Sequence, residues 1–456
     1  MPDAVDGKSR GPGSRLKKRA ADGNIRDRSC VLARMKLDRE AIRRKLPQDL
    51  DEIAKDTGAL LRRREVKCAE QLLWMALIYS GLAGSLRGTS ALGAETGDFE
   101  INDTSVRYRL RQSVEFLTEV LNHLLFGAAR ATAGKGLRRR ICLQDATVVS
   151  IPGSTGTDFR LHTEYIPGQG LAYVEITGKE GGEHLKRGEY KPGDIVIADQ
   201  GLGHASSIHH VVSTGAYVLV RVYLQNLKLH DAKGRRLVVD KILDRADRGV
   251  SSMDVYVPLE DNEPVKARLV MLKLPPEQAA RARQRLKKRA SKKQKTISDQ
   301  AMRLAGYIVL LTTVPQSELS DEEVLRTYRL RWQIELFFKR CKSLMGLDEL
   351  QAGGRLAQSW LLGKMIIAAL IDRAIANLQA ASPDKRSVAP ANLWRLTKLC
   401  LIDLDAAILD VERRRPALGG DALERLGEGS RRRTTAAPQI DALYRKLNPG
   451  LRKRQA

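Results

Sequence analysis

Four polar side chains recur at helical spacing near residue 330 of the sequence. On a helix that advances about 100° per residue, Tyr328, Arg331, Glu335 and Lys342 fall on one narrow stripe. The opposite arc of this helix is apolar and holds Leu330, Ile334, Phe337, Cys341 and Leu344. Such a helix packs one side on a core and presents a phenol, a guanidinium, a carboxylate and an ammonium together on the other. A salt-bridged face in solvent is the common alternative for such a stripe.

Two aspartates lie at strand positions where functional side chains are common, one within a strand and one at the end of another. Alternation along 141–149 puts Asp145 on an apolar face, where an unpaired charge is costly and requires a cation. Asp199 follows a buried-type strand at 194–198, and α/β sheets place their sites at such carboxyl ends. A turn-forming aspartate is the alternative for Asp199. Carboxylates from two strands and one helix could hold magnesium or manganese, and two such ions can activate a nucleophile on a phosphate.

The helical stripe resembles the Y-R-E-K signature of the insertion-sequence-four family of bacterial cut-and-paste DDE transposases, with the spacing Tyr328-x2-Arg331-x3-Glu335-x6-Lys342. The resemblance covers about residues 139 to 350. It includes the block QDATVVSIPG around Asp145 and the block DIVIADQGLGH around Asp199. One departure is Leu202, where many relatives carry an aromatic residue.

The resemblance implies a ribonuclease-H-like fold and a metal-binding catalytic triad of Asp145, Asp199 and Glu335. Mg²⁺ or Mn²⁺ would be the cofactor, with two ions. The side chains that it implies as DNA contacts near the reacting end are Tyr328, Arg331 and Lys342. Trp332 follows the signature arginine and either stacks on a displaced base or packs in the core.

The elements that must position these residues change character at residue 138. We predict an α/β ribonuclease-H-like catalytic core with an all-β insertion, flanked by helical N- and C-terminal regions. The predicted domains are a disordered basic arm at 1–28, a helical DNA-binding domain at 29–137, the catalytic core at 138–223 and 303–380, a β-rich insertion with a basic linker at 224–302, and a helical basic C-terminal region at 381–456.

Local patterns predict the individual elements. Strands are expected at 141–151, 159–166, 171–177, 194–198, 216–223, 237–239, 253–257, 267–272 and 307–314. An amphipathic helix over 106–126 carries arginines and follows the N-cap sequence Asn102-Asp103-Thr104. With the preceding helix it resembles a helix-turn-helix DNA reader. A plain helical bundle is the alternative. A long helix over 321–345 begins at the capping box of Ser320 and Glu323 and ends at Gly346.

The charge of the chain favours an anionic partner. Lys and Arg number 79 against 54 Asp and Glu, which gives a net charge of +25. Nucleic acid is the usual partner of such a surplus, and an ordinary enzyme with a basic surface is the alternative. The five cysteines are scattered and odd in number, so we expect neither disulfides nor a zinc site. The longest apolar stretch, at 360–371, contains Lys364, so no membrane span is expected and a cytoplasmic, nucleoid-associated location fits.

The family reading predicts metal-dependent cleavage of double-stranded DNA at terminal inverted repeats, followed by strand transfer into target DNA. A homodimer on DNA is expected because both ends must be held together. The chain has no G-x-x-x-x-G-K phosphate loop and no H-E-x-x-H zinc motif. Two alternatives stay open. One is a decayed or regulatory DNA-binding protein, and the other is a metal-dependent nuclease without strand transfer.

Overall fold

A computed structural model of the protein describes residues 37–133, 139–246, 250–260, 262–380, 390–411 and 436–448. The arm predicted at 1–28 lies outside these residues, as do parts of the region predicted at 381–456. Cys68, Cys142, Cys341 and Cys400 are free thiols, and Cys30 lies outside the described residues. No described helix is both long enough and apolar enough to span a bilayer.

The described N-terminal residues form a π-helix at Ile78–Ala83 and six α-helices: α1 (Arg39–Arg43), α2 (Leu50–Asp56), α3 (Ala69–Leu77), α4 (Leu86–Glu95), α5 (Asp103–Gln112) and α6 (Val114–Ala133). The Asn102 side chain caps α5 by accepting a hydrogen bond from the Ser105 backbone at 2.8 Å, as predicted. The single helix predicted over 106–126 is wrong, because the chain breaks at Ser113. The Ser113 hydroxyl donates to the carbonyl of Arg109 at 2.7 Å, a back-bond that often bends helices.

One eight-stranded sheet forms the centre of the molecule, in the order β3-β2-β1-β4-β5-β8-β7-β6. Its strands are β1 (Ile141–Val149), β2 (Phe159–Ile166), β3 (Gly170–Thr177), β4 (Ile195–Ala198), β5 (Tyr217–Arg221), β6 (Val250–Leu259), β7 (Asn262–Lys273) and β8 (Tyr307–Thr312). Strands β1, β4 and β5 are parallel, and the other neighbours pair antiparallel. Helix α7 (Ala205–Ser213) connects β4 to β5. The first five strands lie within a few residues of their predicted positions.

The insertion predicted at 224–302 is not all-β, because a helix precedes its two long strands, whereas its basic linker forms a helix. Besides β6 and β7 it contains three helices: α8 (Val239–Ala246), α9 (Pro276–Lys292) and α10 (Asp299–Leu304). The strand expected at 237–239 instead leads into α8. Strand β7 pairs with β8 of the central sheet, with Leu269 opposite Leu311, and both side chains are buried in one core. Strands β6 and β7 therefore extend the central sheet and bury their apolar side chains in its core.

The helix predicted at 321–345 is two helices, α11 (Asp321–Tyr328) and α12 (Trp332–Met345), joined by a 3₁₀ turn at Arg329–Arg331. Its predicted ends are confirmed. Ser320 and Glu323 form the capping box, and Gly346 ends the helix in the left-handed conformation with φ of 61°. A 3₁₀ turn winds the chain more tightly than an α-helix, so the turn adjusts the direction in which α12 leaves α11.

Three more helices complete the described structure: α13 (Gly354–Ala380), α14 (Pro390–Ile408) and α15 (Ala436–Leu447). The apolar stretch at 360–371 is a buried part of α13. The buried Lys364 donates to the carbonyl of Met345, which ties α13 to the end of α12. Arg340 on α12 pairs with the buried Asp372 of α13 at 3.5 Å. These contacts hold α12 between the sheet and the C-terminal helices.

Candidate functional site

The carboxyl ends of β1 and β4 bring the two aspartates together. Parallel pairing places Gln144 opposite Ala198, so the next residues, Asp145 and Asp199, are neighbours in the same register. Asp145 lies within β1, whereas Asp199 is the residue that leaves β4 for a 3₁₀ turn. Neighbouring parallel strands that end at one edge create such adjacency. The paired strands therefore bring two of the three predicted carboxylates together.

Glu335 joins them through Arg331. Nη2 of Arg331 lies 2.5 Å from Oε1 of Glu335, one helical turn further along the chain. Nη1 of Arg331 lies 3.6 Å from Oδ2 of Asp145 and 3.9 Å from Oδ2 of Asp199. One guanidinium thus contacts carboxylates from β1, from the end of β4 and from α12. We refer to Asp145, Asp199 and Glu335 as the carboxylate cluster.

Of the other residues of the helical stripe, Tyr328 contacts the carboxylate cluster and Lys342 lies further along β1. The Tyr328 hydroxyl donates to Oδ1 of Asp199 at 2.9 Å. The Lys342 ammonium donates to the carbonyl of Val148 near the end of β1 at 3.2 Å. Trp332 is 57% exposed, which excludes the core-packing alternative for its side chain. Leu202, the departure noted in the sequence, is buried in the core below the Asp199 turn.

Burial and charge set the ionisation of this site. Desolvation raises the pKa of Asp145 to about 6, although a hydrogen bond from the Ala146 backbone and the charge of Arg331 oppose the shift. Burial lowers the pKa of the Arg331 guanidinium, but Asp199 and its other anionic neighbours outweigh that effect, so its pKa is raised. Burial, with the Asp199 charge beside it, also raises the pKa of Tyr328. Near pH 7 the site is a partly buried anionic cluster around one fixed cation.

Sequence reasoning missed Glu183. Its charge raises the pKa of Asp145, and its Oε2 lies 2.6 Å from where a Cβ on Gly201 would stand. Glu183 pairs with Arg160 at 3.9 Å. It lies in an irregular Gly-rich segment without periodicity, so no local pattern indicated its place. The glycine at 201 leaves the room that Glu183 occupies beside the Asp199 turn.

The ligand type of the carboxylate cluster, three carboxylates, suits a hard divalent cation. Carboxylate oxygens are the ligands that Mg²⁺ and Mn²⁺ prefer, and Arg331 already supplies positive charge at the point where all three carboxylates meet. Across the described ranges, however, no three His, Cys, Asp or Glu side chains form a closed set of metal ligands. The cluster as it stands is organised by a guanidinium.

A second charged surface lies on α5, at the other end of the chain. Its exposed side chains include Arg107, Tyr108 and Arg111. Arg109 on the same helix donates to the carbonyl of Arg62 at 3.0 Å and so holds an exposed arginine-rich loop at 62–64 beside the helix. An exposed aromatic ring among arginines is suited to contact nucleic acid. Helices α4 and α5 are joined by a short loop, in line with the predicted pair of helices.

Comparison with known proteins identifies the family. The model of the "Transposase DDE domain" matches residues 136–371, just over half of the chain. The putative transposase InsL for insertion sequence element IS186A of Escherichia coli (strain K12) is 34% identical over 334 residues, which cover 72% of this chain and 90% of that protein. This chain belongs to the DDE transposase family. The transposase for insertion sequence element IS421 of Escherichia coli is also 34% identical, with the same coverage of both chains.

More distant relatives include the transposase for insertion sequence element IS231B of Bacillus thuringiensis subsp. berliner. It is 25% identical over 353 residues, which cover 68% of this transposase and 73% of the relative. The family implies a ribonuclease-H-like core, and the mixed sheet with helices around it agrees with that implication. The sequence-based expectation of a DDE transposase that acts on DNA is confirmed. The matched residues include the whole carboxylate cluster.

Proposed function

We propose that this transposase cuts DNA at the inverted repeats of its element and joins the freed ends to target DNA. The observation that carries the proposal is the meeting of Asp145, Asp199 and Glu335, from two strands and one helix, at one point. These three residues would hold Mg²⁺ or Mn²⁺, with two ions. When bound, such ions activate a hydroxyl nucleophile and stabilise the leaving oxygen of a phosphate.

The residues around the cluster orient it and bind DNA. Tyr328 donates to Asp199 and holds that carboxylate in one rotamer. Lys342 lies at the end of β1, where its ammonium can shift from the Val148 carbonyl to a DNA phosphate. The exposed indole of Trp332 offers a π face on which a displaced base can stack. Arg331 neutralises charge at the centre of the site.

The reaction needs no covalent enzyme intermediate. Water attacks a phosphodiester at the transposon end, a P–O bond forms as another breaks, and a 3′-hydroxyl is released. That hydroxyl is the next nucleophile and attacks the opposite strand to form a hairpin, or a target strand to complete joining. The water step turns a phosphodiester into a 3′-hydroxyl and a 5′-phosphate. Each later transfer exchanges one phosphodiester bond for another, so joining requires no oxidant or nucleotide cofactor.

We further infer that α5 reads the DNA of the transposon ends. A helix of ten residues with exposed arginine and tyrosine side chains fits the major groove, where arginine pairs with guanine. The loop at 62–64 then lies where it can contact the phosphate backbone. We therefore propose that the domain predicted at 29–137 binds DNA.

Three finer assignments go with this proposal. We propose that the chain belongs to the insertion-sequence-four group. The spacing of Tyr328, Arg331, Glu335 and Lys342 supports this proposal. A homodimer on DNA follows from the need to hold two ends during joining. The DNA substrate places the activity in the bacterial cytoplasm, at the nucleoid.

A joining assay tests the proposed function. The substrate is a labelled duplex that carries the inverted repeat flanking this gene, incubated with target plasmid and Mg²⁺. We expect nicks at the repeat end and label transferred to the plasmid, both lost in Asp145→Asn. Cutting without transfer would instead assign a nuclease. Specific binding without cutting by the wild type would assign a regulatory DNA-binding protein.

A further inference from the structure

The cation at the centre of the carboxylate cluster is part of the protein. Both terminal nitrogens of Arg331 are used, one shared by Asp145 and Asp199 and the other bound to Glu335. The Arg331 side chain is only 16% exposed, so these pairs are partly shielded from water. Within the described part of the chain, no other lysine or arginine is ion-paired with these three carboxylates.

A guanidinium and a divalent cation at this cluster compete for the charge of the same carboxylates. A bound Mg²⁺ would lie about 2.0–2.1 Å from its carboxylate oxygens. The nearby arginine cannot lose its positive charge at physiological pH, so the two cations would be close together. Two like charges in one partly buried cluster repel each other, because the interior screens them poorly. A metal ion therefore binds the cluster more tightly once the Arg331 guanidinium has moved away from it.

The position of Arg331 in the chain gives its side chain another partner. Arg331 ends the 3₁₀ turn between α11 and α12. Its neighbours Arg329 and Trp332 are exposed, so the turn forms part of an accessible surface. A phosphodiester suits the guanidinium as well as a carboxylate does, since arginine binds both through the same fork of N–H groups. A phosphate of DNA bound on this surface could replace the carboxylates as the partner of Arg331.

We propose that Arg331 is an internal counter-cation of the carboxylate cluster, and that DNA phosphate draws it out so that divalent metal binds tightly only after DNA. The inference rests on the proposed function, because it takes the cluster to be the metal site. Linkage between two binding events is reciprocal, so bound metal tightens DNA binding in turn. The Arg331 guanidinium would therefore keep the metal affinity of the free transposase low, and tight metal binding would follow DNA binding.

The first test measures Mn²⁺ affinity of the full-length protein without DNA, from the paramagnetic resonance signal of free Mn²⁺. In Arg331→Gln we expect Mn²⁺ to bind about tenfold more tightly, which corresponds to about 1.4 kcal/mol. Arg331→Lys keeps the charge and should bind more weakly than Arg331→Gln. The matched control Arg329→Gln removes an exposed charge from the same turn and should match wild type. Equal Mn²⁺ affinity in wild type, Arg331→Gln and Arg331→Lys overturns the inference.

The second test repeats the titration with the duplex that carries the inverted repeat. DNA should raise the Mn²⁺ affinity of wild type by about fivefold or more and that of Arg331→Gln far less. Mn²⁺ held by DNA itself is measured with an Asp145→Asn/Glu335→Gln double variant and subtracted. An equal effect of DNA on both proteins contradicts release of Arg331.

The same titrations separate this inference from the proposed function. If Asp145→Asn and Glu335→Gln leave Mn²⁺ binding unchanged with and without DNA, the carboxylates hold no ion and the proposed function fails too. If these variants abolish Mn²⁺ binding while Arg331→Gln changes nothing, only the role of Arg331 fails. Thermal melting of each variant verifies that the compared proteins are folded.

Discussion

Tyr328→Phe tests whether the Tyr328 hydroxyl orients Asp199 or instead contacts DNA. The variant keeps the ring and removes a 2.9 Å hydrogen bond to a carboxylate. Hydrogen bonds to charged groups contribute about 1.5–3 kcal/mol. If the whole of that energy positions Asp199 in the transition state, cleavage slows by roughly 10- to 150-fold. DNA affinity should stay at the wild-type value.

The assay combines single-turnover cleavage of the end duplex with a DNA-binding titration of the same proteins. The matched control is Tyr173→Phe, because the Tyr173 hydroxyl also donates to a carboxylate, that of Glu175 on β3, at 3.1 Å. We expect the control to cleave at the wild-type rate. A Tyr328→Phe variant whose DNA affinity falls by the same factor as its rate would refute the orienting role. Unchanged cleavage would refute any role of this hydroxyl.

Three further predictions concern stability and DNA contacts. Arg268→Met breaks the 2.6 Å buried pair with Asp321 at the start of α11. The free energy of unfolding, measured by urea titration, should fall by about 3–5 kcal/mol. A loss smaller than about 1 kcal/mol would contradict this prediction. Burial raises the pKa of Glu164 to about 7 from an ordinary 4.5, so its contribution to stability is complete below pH 4.5 and is lost as pH rises through 7. Glu164→Gln should therefore flatten the fall of Tm between about pH 5 and 8, and an unchanged profile would show that another group causes it. Lys287→Ala with Lys288→Ala on the exposed helix α9 should weaken DNA binding and reduce its salt dependence, and an unchanged salt slope would exclude α9 from phosphate contacts.

Short-range patterns were sufficient to locate the residues of the carboxylate cluster. Strand alternation and a strand end indicated Asp145 and Asp199, and helical spacing indicated Glu335, because each pattern depends on neighbours within a few residues. Parallel pairing of β1 with β4 then places the two aspartates side by side without further information. The capping box at Ser320 and the stop at Gly346 were predictable for the same reason.

Features that depend on distant parts of the chain were not predictable. The strands of the 224–302 stretch extend the central sheet because β7 pairs with β8, which follows β7 in the sequence only after two helices. Glu183 approaches Asp145 from an irregular segment that carries no periodic signal. The helical stripe showed Arg331 near Glu335, but its contacts with both aspartates arise only from the packing of α12 on the sheet.

The most direct test of the proposed catalytic cluster compares wild type with Glu335→Gln on labelled DNA that carries the flanking inverted repeats, in Mg²⁺. We expect both proteins to bind this DNA with similar affinity and only wild type to cut at the repeat end. Glu349→Gln, an exposed carboxylate beyond the end of α12, serves as the matched control and should cut normally. Cutting by Glu335→Gln at the wild-type rate would contradict the assignment of Glu335 to the catalytic cluster.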